Sequence, residues 1–264
     1  MSCDLSYVDA HIHLADPKYD EVEPVLEDAA TNNVAYLLSN GMDYESSLRT
    51  VELSKRYEKV IAAVGVHPWT VTNVNAPLDL SVFEQLVRDN KEQVRAIGEI
   101  GLDGQYTEDE TKRRLQKETF LFFLTLAERT RLPAVIHSRL AISEVLDILP
   151  SFHLVGVLLH WYSGSPENLR PIKDRGYLIS VGPSILYSKR VAEVAREADL
   201  SIILTETDGP VSYHGPFQNK PTRPSFVIPV VEKLSEIKNK TVKDTKETIW
   251  NSFHSFIPRT SQAN

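Results

Sequence analysis

Apolar runs along this chain end repeatedly in a histidine or an acid. Tyr7-Val8-Asp9-Ala10-His11-Ile12-His13 closes one run, and Ile61-Ala62-Ala63-Val64-Gly65-Val66-His67 another. Ala96-Ile97-Gly98-Glu99, Ala134-Val135-Ile136-His137, Val155-Gly156-Val157-Leu158-Leu159-His160 and Ile202-Ile203-Leu204-Thr205-Glu206-Thr207-Asp208 repeat the arrangement. A buried strand needs apolar side chains, whereas a ligand or catalyst needs a rigid but open position. Polar residues at successive strand ends point to one shared site at one end of a barrel.

Helical patterns fill the spaces between these runs. Val22, Val25, Leu26 and Ala29 recur at helical spacing within residues 19–32, Val34 to Leu38 reads as a strand, and residues 43–57 as a helix. Pro68 stops the strand that ends at His67. Leu80, Val82, Phe83, Leu86 and Val87 mark the next helix. Residues 108–131 predict a long one, with Thr107 as a candidate N-cap followed three residues later by Glu110. Helices are expected over about 140–149, after Ser165-Pro166-Glu167, and over 188–199, with strands at Tyr177–Val181 and Ser201–Thr207. Eight strands alternating with helices favour a closed parallel barrel over an open sheet. The 264 residues match the ~250 typical of that fold. The expectation is an α/β chain forming a single (β/α)8 TIM-type barrel domain over residues 1–264, with its site at the C-terminal ends of the strands. The Pro- and Gly-rich stretch 208–224 would overhang that site as a substrate wall or lid.

The net charge of −7 argues against a broad basic nucleic-acid surface, although a metal-filled cleft attracts phosphate locally. Cys3 is the only cysteine, so no internal disulfide forms. No apolar run approaches a membrane span, and the first residues lack the basic and apolar regions of a leader. A soluble, cytoplasmic protein with no membrane partner is expected.

His11 and His13 fall on the same side of a strand, because side chains alternate with period two. Such a pair reads either as a chelate for a divalent ion or as two packing histidines. His137 and His160, each closing an apolar run, are separately compatible with hydrogen-bonded strand-end histidines. Glu99 can bridge two ions or pair with a basic side chain. Asp208 is followed by Gly209-Pro210, which rules out an immediate helix for it to cap. Four imidazoles and two carboxylates on different strands suffice for a two-metal centre, in which ions roughly 3.5–4 Å apart activate a water. The fourth strand supplies Glu99 and contains no lysine that would need to bridge as a carbamate.

The motifs Asp9-Ala10-His11-Ile12-His13, Gly65-Val66-His67-Pro68, Gly98-Glu99-Ile100-Gly101-Leu102-Asp103, Pro133-Ala134-Val135-Ile136-His137-Ser138-Arg139, His160-Trp161-Tyr162-Ser163-Gly164 and Glu206-Thr207-Asp208-Gly209-Pro210 span nearly the whole chain. In this order the chain resembles the TatD-type metal-dependent hydrolases of the amidohydrolase superfamily. The resemblance implies that His11, His13, Glu99 and Asp208 hold one divalent ion, and Glu99, His137 and His160 a second. Zn, Mn, Ni, Fe and Mg are all open as identities. It implies Asp208 as the base on the nucleophilic water, and His67 as a non-ligand histidine facing the substrate phosphate or leaving group. The residues alone also allow His67 to be a turn histidine before proline. Arg139 would pair with a phosphate oxygen, or brace Glu99 or Asp103. Asp103 reads as structural support, and Glu206 stays outside the core set. Trp69 is open between stacking and packing, whereas Trp161 and Trp250 read as packing.

Around these ligands the chain departs from the family pattern. Leu140 replaces the usual acid after His-Ser-Arg, Trp161-Tyr162 replaces Cys-Phe, and Gly104 stands where an aromatic is common. His214-Gly215-Pro216-Phe217-Gln218 replaces an Arg-Gly-Lys-like stretch, so basic charge at the mouth is thin. The leading expectation is a phosphodiesterase or deoxyribonuclease, exonucleolytic by resemblance, with nucleic acid as substrate rather than stable partner. A carboxyl ester, amide or lactone hydrolase, including one for aminoacyl esters, is the alternative on the same site. A non-catalytic binding barrel is the third, disfavoured by the intact ligand set.

Overall fold

The computed structural model describes residues 5–73, 78–105 and 108–257. Strand β1 (Tyr7–Ile12) is followed by helix α1 (Glu23–Thr31), and β2 (Val34–Asn40) by α2 (Tyr44–Arg56). Then come β3 (Val60–Val64) with α3 (Pro68–Asn73) and α4 (Ser81–Asp89), β4 (Val94–Gly101) with α5 (Glu110–Thr130), and β5 (Ala134–His137) with α6 (Ile142–Ile148). The series ends with β6 (Val157–Leu159) and α7 (Leu169–Asp174), β7 (Leu178–Val181) and α8 (Lys189–Glu197), and β8 (Ile203–Thr205) before α9 (Val227–Lys238) and α10 (Val242–Phe256). This is the (β/α)8 barrel fold expected from the alternation of patterns.

Two compact units are built from these elements, residues 39–164 and residues 1–38 with 165–264. In the first, β3 to β6 pair in chain order and in parallel. Their near-continuous Val, Ile, Leu and Ala content leaves strand side chains buried on both faces, as parallel strands covered by helices require. Gly101 sits opposite His137 in the β4–β5 register. Its φ is +145°, and a Cβ there would lie 2.0 Å from the His137 carbonyl oxygen, so only glycine lets β4 approach the strand end that carries His137. Asp43 caps α2 in a capping box with Ser46.

In the second unit β7 and β8 pair in parallel through Ile179–Ile203, Ser180–Leu204 and Val181–Thr205. Strand β1 lies along β8, where the Asp208 amide donates to the His11 carbonyl at 2.8 Å and the His13 amide to Gly209 at 2.8 Å. Helix α10 buries Ile249, Phe253 and Phe256, and Trp250 is half-buried with its ring 5.8 Å from that of Tyr36.

The element ends show where local reading stops. The strand expected to run to His67 ends earlier, at Val64, and Pro68 instead opens α3 as its first residue, the position where a missing N–H costs nothing. Thr107 lies outside the described residues, and α5 is capped by Asp109, whose carboxylate accepts from the amides of Thr111 and Lys112. Residues 166–168 form a 3-10 turn before α7, and residues 200–202 another before β8, which shortens both expected elements. The 208–224 stretch is stapled in place. Tyr213 donates to the Thr207 carbonyl at 2.6 Å, Tyr19 to that of Thr222 at 3.1 Å, and the Thr222 hydroxyl to Val211.

Candidate functional site

Strand β1 ends in His11 and His13, both buried, with side chains on one side as the period-two spacing demands. Their Nε2 atoms are 3.1 Å apart, and Asp208 Oδ1 lies 3.4 Å from His11 Nε2 and 3.2 Å from His13 Nε2. Metal–ligand bonds of ~2.0–2.2 Å leave neighbouring donors roughly 3.0–3.5 Å apart. Two imidazole nitrogens and a carboxylate oxygen at these separations fit one divalent ion. Asp208 occupies left-handed backbone, φ +46°, which Asp tolerates better than most side chains and which turns its carboxylate back toward β1.

Asp9 lies beneath this set and is fully buried. Its Oδ1 accepts from the Thr207 amide at 2.9 Å and the His11 amide at 3.3 Å, and its Oδ2 accepts from the Thr207 hydroxyl at 2.6 Å. Burial pushes its pKa up to about 8 despite those hydrogen bonds. Asp9 thus ties the histidine strand to the strand that delivers Asp208. Glu206 accepts from the Ser180 hydroxyl at 2.5 Å.

The other unit presents a second donor set. Glu99 Oε1 lies 2.6 Å from His160 Nε2 and 2.8 Å from His137 Nδ1, and the two histidine nitrogens are 3.3 Å apart. These residues stand at the ends of β4, β5 and β6, and all are buried. The opposite nitrogen of His137, Nε2, meets Asp103 Oδ2 at 2.8 Å, and the same oxygen accepts from the indole N–H of Trp69 at 2.8 Å. Burial opposes charge on His137, yet the Asp103 and Glu99 carboxylates outweigh it and hold its pKa above the usual histidine range. Burial likewise works against ionised Asp103, and hydrogen bonds from His137, Trp69 and Gln105 outweigh it to hold that carboxyl low. Asp103 and Trp69 therefore fix the His137 ring with Nδ1 directed at Glu99.

His67 Nε2 lies 3.3 Å from both Glu99 Oε1 and His137 Nδ1, so His67, Glu99 and His137 also form a group close enough to share an ion. The other ring nitrogen decides its role. His67 Nδ1 accepts the Trp69 amide at 3.0 Å, which leaves a neutral ring with its proton on Nε2. An N–H directed at that corner is a donor, not a ligand. Arg139 is exposed, and its carbonyl accepts the Gly104 amide at 2.9 Å. Trp161 is half-buried with φ +39°.

The structure thus gathers His11, His13 and Asp208 in one set and Glu99, His137 and His160 in another, with His67 beside the second. Trp69, open between stacking and packing from sequence, and Thr207, with no role there, are both anchors. A threonine or tryptophan next to a motif residue was the only signal available for either. Among the described residues no helix is long and apolar enough to cross a membrane.

Comparison with known proteins gives the family. The profile of the family described as TatD related DNase matches residues 8–258. An uncharacterized metal-dependent hydrolase of Methanocaldococcus jannaschii is 32% identical over 259 residues, covering 97% of this chain and 98% of that protein. A putative deoxyribonuclease of Mus musculus is 30% identical over 262 residues, covering 96% and 88%. The crystal structure of a TatD homologue from Escherichia coli superposes with a TM-score of 0.86 at 26% identity, over 96% of this chain and 98% of that one. The chain belongs to the TatD-related family of metal-dependent hydrolases.

Proposed function

We propose that this protein is a phosphodiesterase acting on nucleic acid, a deoxyribonuclease, using two divalent ions, one on each donor set. The observation that carries the reading is the pair of sets themselves: in each, three ligating atoms from His and acid side chains stand 2.6–3.4 Å apart at strand ends. Ions bound there supply Lewis acidity, lowering the pKa of a water toward ~7 and offsetting charge on the attacked group. Asp208, with one carboxylate oxygen against the histidine pair, holds the attacking water by its other oxygen and takes its proton. His67 donates its Nε2–H to a phosphate or leaving-group oxygen at the Glu99 corner, and Arg139 offers a cation to the same phosphate. Asp9 on one side, and Asp103 with Trp69 on the other, keep the ligand rings in register. The naming of relatives as deoxyribonucleases supports DNA as the substrate class.

Thin basic charge around His214-Gly215-Pro216 favours a second reading on the same residues, hydrolysis of a carboxyl ester, amide or lactone. Metal-defined protein assayed against single-stranded DNA, a small phosphodiester and a panel of carboxyl esters separates the two. Cleavage of DNA and of the small phosphodiester, with weak ester turnover, is expected. Strong ester turnover without phosphodiester cleavage overturns the nuclease reading.

A further inference from the structure

Two aromatic side chains beyond β7 and β8 are left unused by this chemistry. Tyr187 follows the 3-10 turn Pro183–Leu186 at the end of β7, and its amide is held by the Ser184 carbonyl at 3.1 Å. The residue is 39% exposed, yet its ring is braced from one side. A Cβ on Gly215 would come within 3.1 Å of ring Cδ1 and 3.4 Å of Cγ, and φ there is +60°, so glycine suits this close backing. His214 is exposed and meets the ring edge-on, with centroids 6.1 Å apart and planes at 79°. His214 directly follows Tyr213, whose hydroxyl is fixed to the carbonyl of Thr207, the residue before Asp208. One tyrosine side chain therefore ties the residue preceding His214 to the backbone that carries the proposed base. Lys189 and Arg190 lie exposed just after Tyr187.

We propose that Tyr187, edged by His214, is a stacking platform for a base of single-stranded nucleic acid, with Lys189 and Arg190 alongside for its phosphates. An immobilised ring offers flat apolar area at little entropic cost, and every base has a face to place on it. The platform also answers the thin basic mouth, because affinity there comes from stacking more than from charge. The inference rests on the nucleic-acid reading above and adds a contact for the strand next to the scissile phosphate.

Its test is binding rather than turnover. Fluorescence anisotropy measures metal-loaded protein against a single-stranded phosphorothioate oligonucleotide and against an abasic strand of equal length. Tyr187→Ala is expected to weaken binding of the base-containing strand at least about fivefold, the low end of one stacked base. It should leave the abasic strand and the melting temperature unchanged, and Tyr187→Phe should bind like the parent. The proposal is overturned if Tyr187→Ala binds the base-containing strand normally, if both strands weaken equally, or if the parent binds neither. Hydrolysis of DNA and of a small phosphodiester, measured separately, tests the catalytic reading, so either can fail without the other.

Discussion

Asp9 is the residue whose removal best tests how the β1–β8 donor set is held. In Asp9→Ala two buried backbone donors, the amides of Thr207 and His11, lose their acceptor. Each costs about 1–3 kcal/mol when stranded in the interior, or roughly 2–6 kcal/mol together. The Thr207 hydroxyl keeps the Gly209 amide at 3.3 Å. Deleting a carboxyl whose burial pushes its pKa up to about 8 returns part of that cost. A net loss of about 2–4 kcal/mol follows. Asp9→Asn keeps Oδ1 for both amides and alters only the Oδ2 contact with Thr207, so about 1.5 kcal/mol is its upper bound. Urea unfolding of metal-free protein followed by far-UV circular dichroism measures both. Calorimetric titration with the metal should show affinity falling about 10–100-fold in the alanine variant and less in the asparagine variant, as for other groups that orient ligands. An alanine variant less than about 1 kcal/mol destabilised, or an asparagine variant equally damaged, would refute the tether, because two stranded amides cost more than that.

The remaining expectations concern the other residues. Glu99→Ala should abolish activity and reduce bound metal measured by elemental analysis; full metal content with normal turnover would remove Glu99 from the ligands. Asp208→Asn keeps an oxygen toward His11 and His13 and should spare much of the metal binding while kcat collapses, whereas equal losses would make Asp208 chiefly a ligand. His67→Ala should leave metal content unchanged and lower kcat by about 10²–10⁴, the usual contribution of a proton donor; loss of metal would contradict the tautomer set by the Trp69 amide. Away from the site, the Lys173 ammonium 2.6 Å from Asp199 holds that carboxyl well below its ordinary range, with Ser201 assisting. A depressed folded pKa gives stability that is fully present above the unfolded value of about 3.9 and disappears as pH falls through the folded one. Lys173→Met should therefore melt below the parent at pH 7 and low salt. The gap should narrow in 1 M salt and close in strong acid, and a pH-independent gap would point to packing instead.

How far the site was legible depends on what kind of information each residue carries. His11 and His13 face one way because strand side chains alternate, and His137, His160 and Glu99 converge because parallel strands all present the same end. Those are local rules repeated along the chain, so periodicity alone reveals the donors. Asp9 is different. Its partner Thr207 lies 198 residues away, and nothing in either neighbourhood states the register that joins them. The same holds for Trp69, whose indole finds Asp103 34 residues on, and for the Nδ1 of His67, whose acceptor role emerges only from the turn that Pro68 opens into α3. Local pattern therefore fixes which atoms can ligate, whereas long-range hydrogen bonds fix which tautomer each ring carries and whether it ligates or donates. His67 marks that division. Its distances alone qualify it as a ligand, and one backbone amide at 3.0 Å assigns it the proton instead. The substrate belongs to the same second kind of information. Loops such as 208–224 take their shape from staples like Tyr213 to Thr207, so the motifs that announce a hydrolase say little about the platform proposed at Tyr187.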